Sequence, residues 1–252
     1  MQPAPLSSGG SGVKVGCAGW SLPRETRPEF PQDGTHLQRY AARFNAVEIN
    51  SSFYRPHQPA TYARWAESVP ADFRFCAKLP KTITHEKRLR DCQGLLDAFL
   101  PQVTSLGEKL GCLLVQLPPS LAFDAATATA FLRELRQRHA GGVALEPRHA
   151  SWFTAAADEA LKDAKVGRVL ADPVLFDAGR DPGGWPSLVY VRLHGSPRMY
   201  YSAYARDMLD ALIVRLELEA ASDASVWCVF DNTANGAAVP DALYLARGLA
   251  QR

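Results

Sequence analysis

Two short strings place acid, base and cation within a few residues of one another. Glu146-Pro147-Arg148-His149 joins a carboxylate, a guanidinium and an imidazole. Arg192-Leu193-His194-Gly195 sets a guanidinium two residues before a second imidazole. In extended chain, alternate side chains share a face. Glu146 and Arg148 therefore form one same-face pair, although Pro147 bends the path, and Arg192 and His194 form another. Glu48 stands in the same relation to Asn50. A carboxylate beside a guanidinium stays ionised, which suits a base or a ligand holder. The roles that follow are Glu48 or Glu146 as base, His194 as acid partner, and Asp231 orienting a histidine or lysine. Arg148 and Arg192 would clamp an anion. His149 is a second candidate base, but a lone histidine is as readily structural.

Further residues suit substrate binding. Lys78 ends an apolar run and could hold a phosphate or carboxylate, form a Schiff base, or pair with Glu48 or Glu146. Asn50, Ser52, Tyr54 and Asn232 offer hydrogen bonds, and Trp20 offers a stacking face. Gly195 would let backbone approach a ligand closely. The loop after Lys78 carries Lys81, His85, Lys87, Arg88 and Arg90 against Glu86, the densest basic run of the chain. Each has a structural alternative: an ion pair of the fold for Glu48, a turn cap for the serines, Asp172 and Asn232, and packing under loops for Trp20 and Trp152.

These residues sit at the ends of eight short apolar runs. The runs are Lys14–Ala18, Ala46–Ile49, Phe73–Ala77, Gly111–Val115, Gly142–Leu145, Val166–Ala171, Leu188–Val191 and Val226–Phe230. Helical patterns lie between them, at His36–Phe44, Pro59–Ser68, Cys92–Leu106, Ala125–His139, Ala155–Lys165, Ala203–Ala220 and Pro240–Ala250. Asn235-Gly236 would open the last of these. Strands alternating with helices predict a parallel sheet. No GxGxxG turn follows the first run and no GxxxxGK[ST] loop exists, which argues against an open nucleotide-binding sheet. The expectation is one α/β domain, a (β/α)8 TIM-like barrel over 13–252 with some irregular helices. Its polar strand ends would ring one pocket.

At 252 residues, the chain is close to the roughly 250 of such a barrel. The formal net charge of +2 is too mild for bulk attraction to nucleic acid or membrane. Five cysteines without a CxxC pair suggest reduced thiols and a cytoplasmic location. No stretch approaches a membrane span. Residues 1–12 are rich in Pro, Ser and Gly and read as a flexible tail rather than a secretory signal.

The chain resembles the YecE-like family. The resemblance rests on Gly16-Cys17-Ala18-Gly19-Trp20, on Glu48-Ile49-Asn50-Ser51-Ser52-Phe53-Tyr54 and on Phe73-Arg74-Phe75-Cys76-Ala77-Lys78. It continues through Gln116-Leu117-Pro118-Pro119, Glu146-Pro147-Arg148-His149 with Trp152, Arg192-Leu193-His194-Gly195 and Phe230-Asp231-Asn232. It implies a TIM-like barrel and no particular reaction.

The leading function is an enzyme acting on a small anionic, phosphorylated substrate by acid/base chemistry. Hydrolase, lyase and isomerase stay open, and no cofactor is called for. In a metal-assisted version, Glu48, Glu146, His194 and Asp231 would converge on a divalent ion, although no HxH or HxxxH pair supports it. A glycosidase built on Glu48 and Glu146 fits poorly among so many cations. The alternative of a different class is a binder of single-stranded nucleic acid, using the basic loop and Phe53, Tyr54, Trp20, Tyr200 and Tyr201.

Overall fold

The computed structural model describes residues 12–251; the expected tail lies, except for Gly12, outside them. The described chain has ten strands and eight α-helices, strand followed by helix for most of its length. The strands are β1 Val13–Cys17, β2 Ala46–Ile49, β3 Arg74–Lys78, β4 Leu110–Gln116 and β5 Gly142–Glu146. They continue with β6 Gly167–Arg168, β7 Leu170–Asp172, β8 Gly183–Gly184, β9 Leu188–Leu193 and β10 Ser225–Phe230. The helices are α1 His36–Ala41, α2 Ser51–Tyr54, α3 Pro59–Glu67, α4 Gln93–Val103, α5 Ala125–Arg138, α6 Ala155–Asp163, α7 Arg206–Ala220 and α8 Ala238–Ala250.

All eight apolar runs are strands, because a parallel strand buried on both faces must be apolar throughout. They ladder as two sheets rather than as the single closed ladder expected. One has the order β1-β10-β9-β7 and the other β2-β3-β4-β5-β6-β8. Every pairing is parallel except β6 with β8. Two departures account for the division.

The sixth run is interrupted. Its first half pairs with β5 and its second half with β9. Val169 lies between, its N–H donating to Leu145 O at 2.9 Å.

Between β1 and β2, side chains stand where ladder bonds would be. Asn45 Oδ1 accepts from Val15 N at 2.8 Å and its Nδ2 donates to Val13 O at 2.9 Å. The Tyr40 hydroxyl accepts from Cys17 N at 2.7 Å and donates to Ala46 O at 3.0 Å. A capping box of Thr35 and Gln38 starts α1 and so delivers Tyr40 to this seam. Gly16 is required there, since a Cβ would stand 2.0 Å from Ala46 O. Direct backbone contact resumes at the top of the seam, where Gly19 N donates to Glu48 O at 2.9 Å.

The core has two parts. The larger lies between strands and helices. The smaller is drawn from both sheets and includes Ala46, Cys76, Cys112, Leu114, Ala144, Tyr190 and Trp227. Two residues further along the same strands come Glu48, Lys78, Gln116, Glu146 and Arg192. Strand alternation thus stacks a layer that is ionisable except for Gln116 directly on an apolar one.

Helix ends differ modestly from expectation. The third helical pattern stops at Val103 and a 3-10 turn takes over, with Gly107 in a non-helical conformation. The last helix opens at Ala238 rather than at Asn235-Gly236. Among the described residues no helix is long and apolar enough to cross a membrane.

The seam gives a direct test. Tyr40→Phe leaves the buried Cys17 N–H without a partner, a cost on the order of 1–3 kcal/mol. Urea unfolding should show that loss with an unchanged m-value. A loss below roughly 0.5 kcal/mol, the scale of a neutral surface change, would mean the hydroxyl does not hold the seam.

Candidate functional site

Arg192 occupies the middle of the ionisable layer and is 1% exposed. Its Nη2 lies 2.6 Å from Glu48 Oε1 and its Nε 3.0 Å from Glu48 Oε2, a two-pronged pairing. Nη1 reaches Glu146 Oε2 at 3.1 Å, and Nη2 lies 3.1 Å from Asp231 Oδ2. One guanidinium from β9 therefore engages carboxylates at the ends of β2, β5 and β10. Glu48 is further held by the Tyr190 hydroxyl at 2.9 Å, from the layer beneath.

His194 follows Arg192 by two residues and points the same way. Its Nδ1 is 3.0 Å from Asp231 Oδ2 and its Nε2 is 2.8 Å from Glu146 Oε1. Burial pulls the imidazole toward its neutral form, but Glu146 and Asp231 outweigh it and raise its pKa. Arg148 Nη2 also approaches Nε2, at 3.0 Å. The shorter contact to Glu146 and the second carboxylate favour the imidazolium, which donates on both sides.

Burial would raise Glu146, yet His194, Arg192 and Arg148 together hold its carboxyl well below the usual range. Asp231 behaves alike: burial raises it, and Arg192, His194 and Lys78 bring it down. Arg148 completes the set from just beyond β5, with Nε and Nη2 both 2.8 Å from Glu146 Oε1. The notable departure is Lys78. It has no ion pair among the described residues. Its Nζ lies 4.3 Å from the centre of the Phe53 ring, and burial, then Arg192, lower its pKa.

The expected site residues divide into two groups. Glu48, Glu146, Arg148, Arg192, His194 and Asp231 form one bonded network, and the charges of Arg192 and Asp231 reach Lys78. Asn50 joins through Nδ2, 3.4 Å from Asp231 Oδ1. The others have different engagements. Ser52 donates to Ile49 O and Lys78 O, fixing the chain ends of β2 and β3. Asn232 donates to Ser202 O and Asp241. Tyr54 is 75% exposed, and Trp20 packs edge-on against Trp65.

Other candidates resolve similarly. His149 caps the turn Ala150–Phe153 through Ser151. Asp172 accepts from the Tyr204 hydroxyl at 2.9 Å. Gly195 has φ +93°, and the close backbone it meets is Ser202 O rather than open space for a ligand. Tyr190 and Phe53 were not singled out as partners of Glu48 and Lys78. Tyr190 was within reach, since it shares the parity of Arg192 and His194.

Among the described residues no group of three or more His, Cys, Asp or Glu is arranged to hold a metal ion. The oxygens a metal would take are already engaged: Glu48 and Glu146 each give both oxygens to cations or hydroxyls.

A family model described as protein of unknown function DUF72 matches residues 14–252. The chain belongs to the DUF72 family. It is 34% identical over 174 residues to the UPF0759 protein YecE of Escherichia coli K12, covering 67% of this chain and 62% of that one. It thus spans about three fifths of that relative's length. The UPF0759 protein YunF of Bacillus subtilis is 28% identical over 56% of this chain and 52% of its own. A solved DUF72 protein from Thermotoga maritima superposes with a TM-score of 0.76 at 26% identity, covering 94% of this chain and 98% of that one. One from Enterococcus faecalis gives 0.76 at 22% identity, over 94% and 95%, a likeness of fold. This DUF72 chain is a mixed α/β protein whose sheets are predominantly parallel.

The charge layer of this DUF72 protein makes its stability depend on pH in a stated direction. His194 has a raised folded pKa, so its contribution is complete below about 6.5, the ordinary imidazole value, and is lost as pH rises through the folded value. Glu146 and Asp231 are depressed, so theirs is present above the usual carboxylate range and lost on acidification. Urea midpoints measured between about pH 6 and 9 should fall for the native chain and lose that decline in His194→Asn. Parallel curves would contradict the imidazolium.

Proposed function

We propose that the two sheets are arcs of one (β/α)8-type barrel and that the charged layer at its C-terminal rim is the active site of an enzyme acting on a small anionic substrate. The barrel reading is supported by the strand order and by the seams, where Asn45, Tyr40 and the split sixth run keep neighbouring strands together without full ladders. In barrels, chemistry is carried at this end of the strands.

The observation that carries the enzymatic reading is His194. It is 1% exposed and held by a carboxylate on each nitrogen. A proton on it can pass toward Glu146 or a substrate oxygen with little reorganisation. Glu146 is then the base and Asp231 the group that orients the ring. Glu48 is fully engaged by Arg192 and Tyr190, which fits a structural part better than the base role it was offered. Arg192 likewise anchors the layer, so the anion falls to Arg148 and Lys78 at its more exposed margin. A phosphate or carboxylate there would add the negative charge that lets both cations and His194 be protonated together. Five free, buried cysteines support a reducing, cytoplasmic setting.

The test is thermal unfolding with inorganic phosphate, glycerol 3-phosphate, divalent metals and a short single-stranded oligonucleotide. The small phosphates should raise Tm by mass action, and Arg148→Gln should remove most of that rise. A rise with the oligonucleotide only, lost at high salt, would replace the enzyme with a nucleic-acid binder. A rise with metal only would favour the metal-assisted version.

A further inference from the structure

Lys78 is 7% exposed, yet among the described residues no carboxylate lies within ion-pair distance of it. The side chain instead rests on the Phe53 ring. Its Nζ is not among the sealed polar atoms that lack a partner, so its tip keeps some contact with solvent. Three carboxylates, Glu48, Glu146 and Asp231, stand against two arginines that cannot lose their protons. One further positive charge balances the layer. His194 lies between two of those carboxylates and is the better placed to carry it. Lys78 is left on an aromatic face, where burial and then Arg192 lower its proton affinity against the opposing pull of Glu48, Asp231 and Glu146, whose ion pairs are made to the arginines and His194. An amine largely kept from water on an aromatic face beside a guanidinium is the setting that turns a lysine into a nucleophile.

Resting on the anionic pocket argued above, we propose that Lys78 forms an imine with a small phosphorylated or carboxylated aldehyde or ketone. The Nζ–carbon bond forms as the carbonyl bond to oxygen breaks. The oxygen leaves as water and takes with it the two protons the amine gives up, so no oxidant, reductant or co-reactant is consumed. His194 and Glu146 supply the relay, the acid protonating the departing oxygen and the carboxylate receiving a proton from nitrogen. A protonated imine restores the positive charge at Lys78 that the bound anion needs. The reaction class is then carbon–carbon bond cleavage, formation or isomerisation next to a carbonyl, where the iminium withdraws electrons.

The experiment treats the full chain near neutral pH with formaldehyde and cyanoborohydride and maps the modified lysines by peptide mass spectrometry. Lys78 should react faster than Lys81 or Lys162, although both of these are 47% exposed, because a lowered pKa enlarges the neutral, nucleophilic fraction of the amine. Glycerol 3-phosphate should slow Lys78 and leave Lys81 unchanged. Glycolaldehyde phosphate followed by borohydride should leave one stable adduct, on Lys78, absent from Lys78→Arg. Support requires both results. Lys78 reacting no faster than Lys81, or no adduct from glycolaldehyde phosphate, overturns the imine. If glycerol 3-phosphate still raises Tm in that case, the anionic pocket stands; if it does not, both readings fall.

Discussion

A guanidinium keeps its proton in any protein environment, so burying Arg192 obliges the fold to bring carboxylates to it. Arg192 is 1% exposed on a central strand, and Glu48, Glu146 and Asp231 reach it from three other strands. Those strands come from both sheets. The ion pairs therefore tie together two sheets that are also joined by Tyr40, Asn45 and the divided sixth run. Such pairs seldom add net stability over an apolar core, because desolvation offsets the attraction. What they add is geometry: each carboxylate has one low-energy position.

That geometry fixes where protons can reside. With Arg192 saturating Glu48, the mobile proton is confined to His194, Glu146, Asp231 and Lys78. The imidazole bridges two carboxylates, and the lysine rests on an aromatic ring. Fixed charges below and titratable groups above is an arrangement that sets proton affinities before a substrate arrives. The apolar layer of Cys76, Cys112, Leu114 and Trp227 underneath keeps water from reaching the ion pairs from below.

Much of this was legible in the residue order. The eight apolar runs announced the strands because parallel strands are covered on both faces. Their parity announced which charged residues would meet, and Glu146 with Arg148 and Arg192 with His194 do meet. The sheet division was not legible. It depends on contacts such as Tyr40 with Cys17 and Asn45 with Val15, made by residues from the end of α1 and the turn after it, with no local signature. Nor does a sequence distinguish a polar side chain aimed at a pocket from one used on backbone. Ser52 and Asn232 carry the right atoms, but neighbouring carbonyls and Asp241 claim them. Lys78 is the converse case, since nothing in its neighbours along the chain signals that the nearby carboxylates are taken by arginine.

The central claim is that Arg192 organises the charged layer, and its most direct test is urea unfolding of Arg192→Met, Glu48→Gln and the double variant. Arg192→Met strands buried carboxylates and should cost about 3–5 kcal/mol. Adding Glu48→Gln removes one stranded charge, so the double variant should be more stable than Arg192→Met. Losses that simply add, or a cost under about 1 kcal/mol for Arg192→Met, as for an exposed pair, would contradict the account.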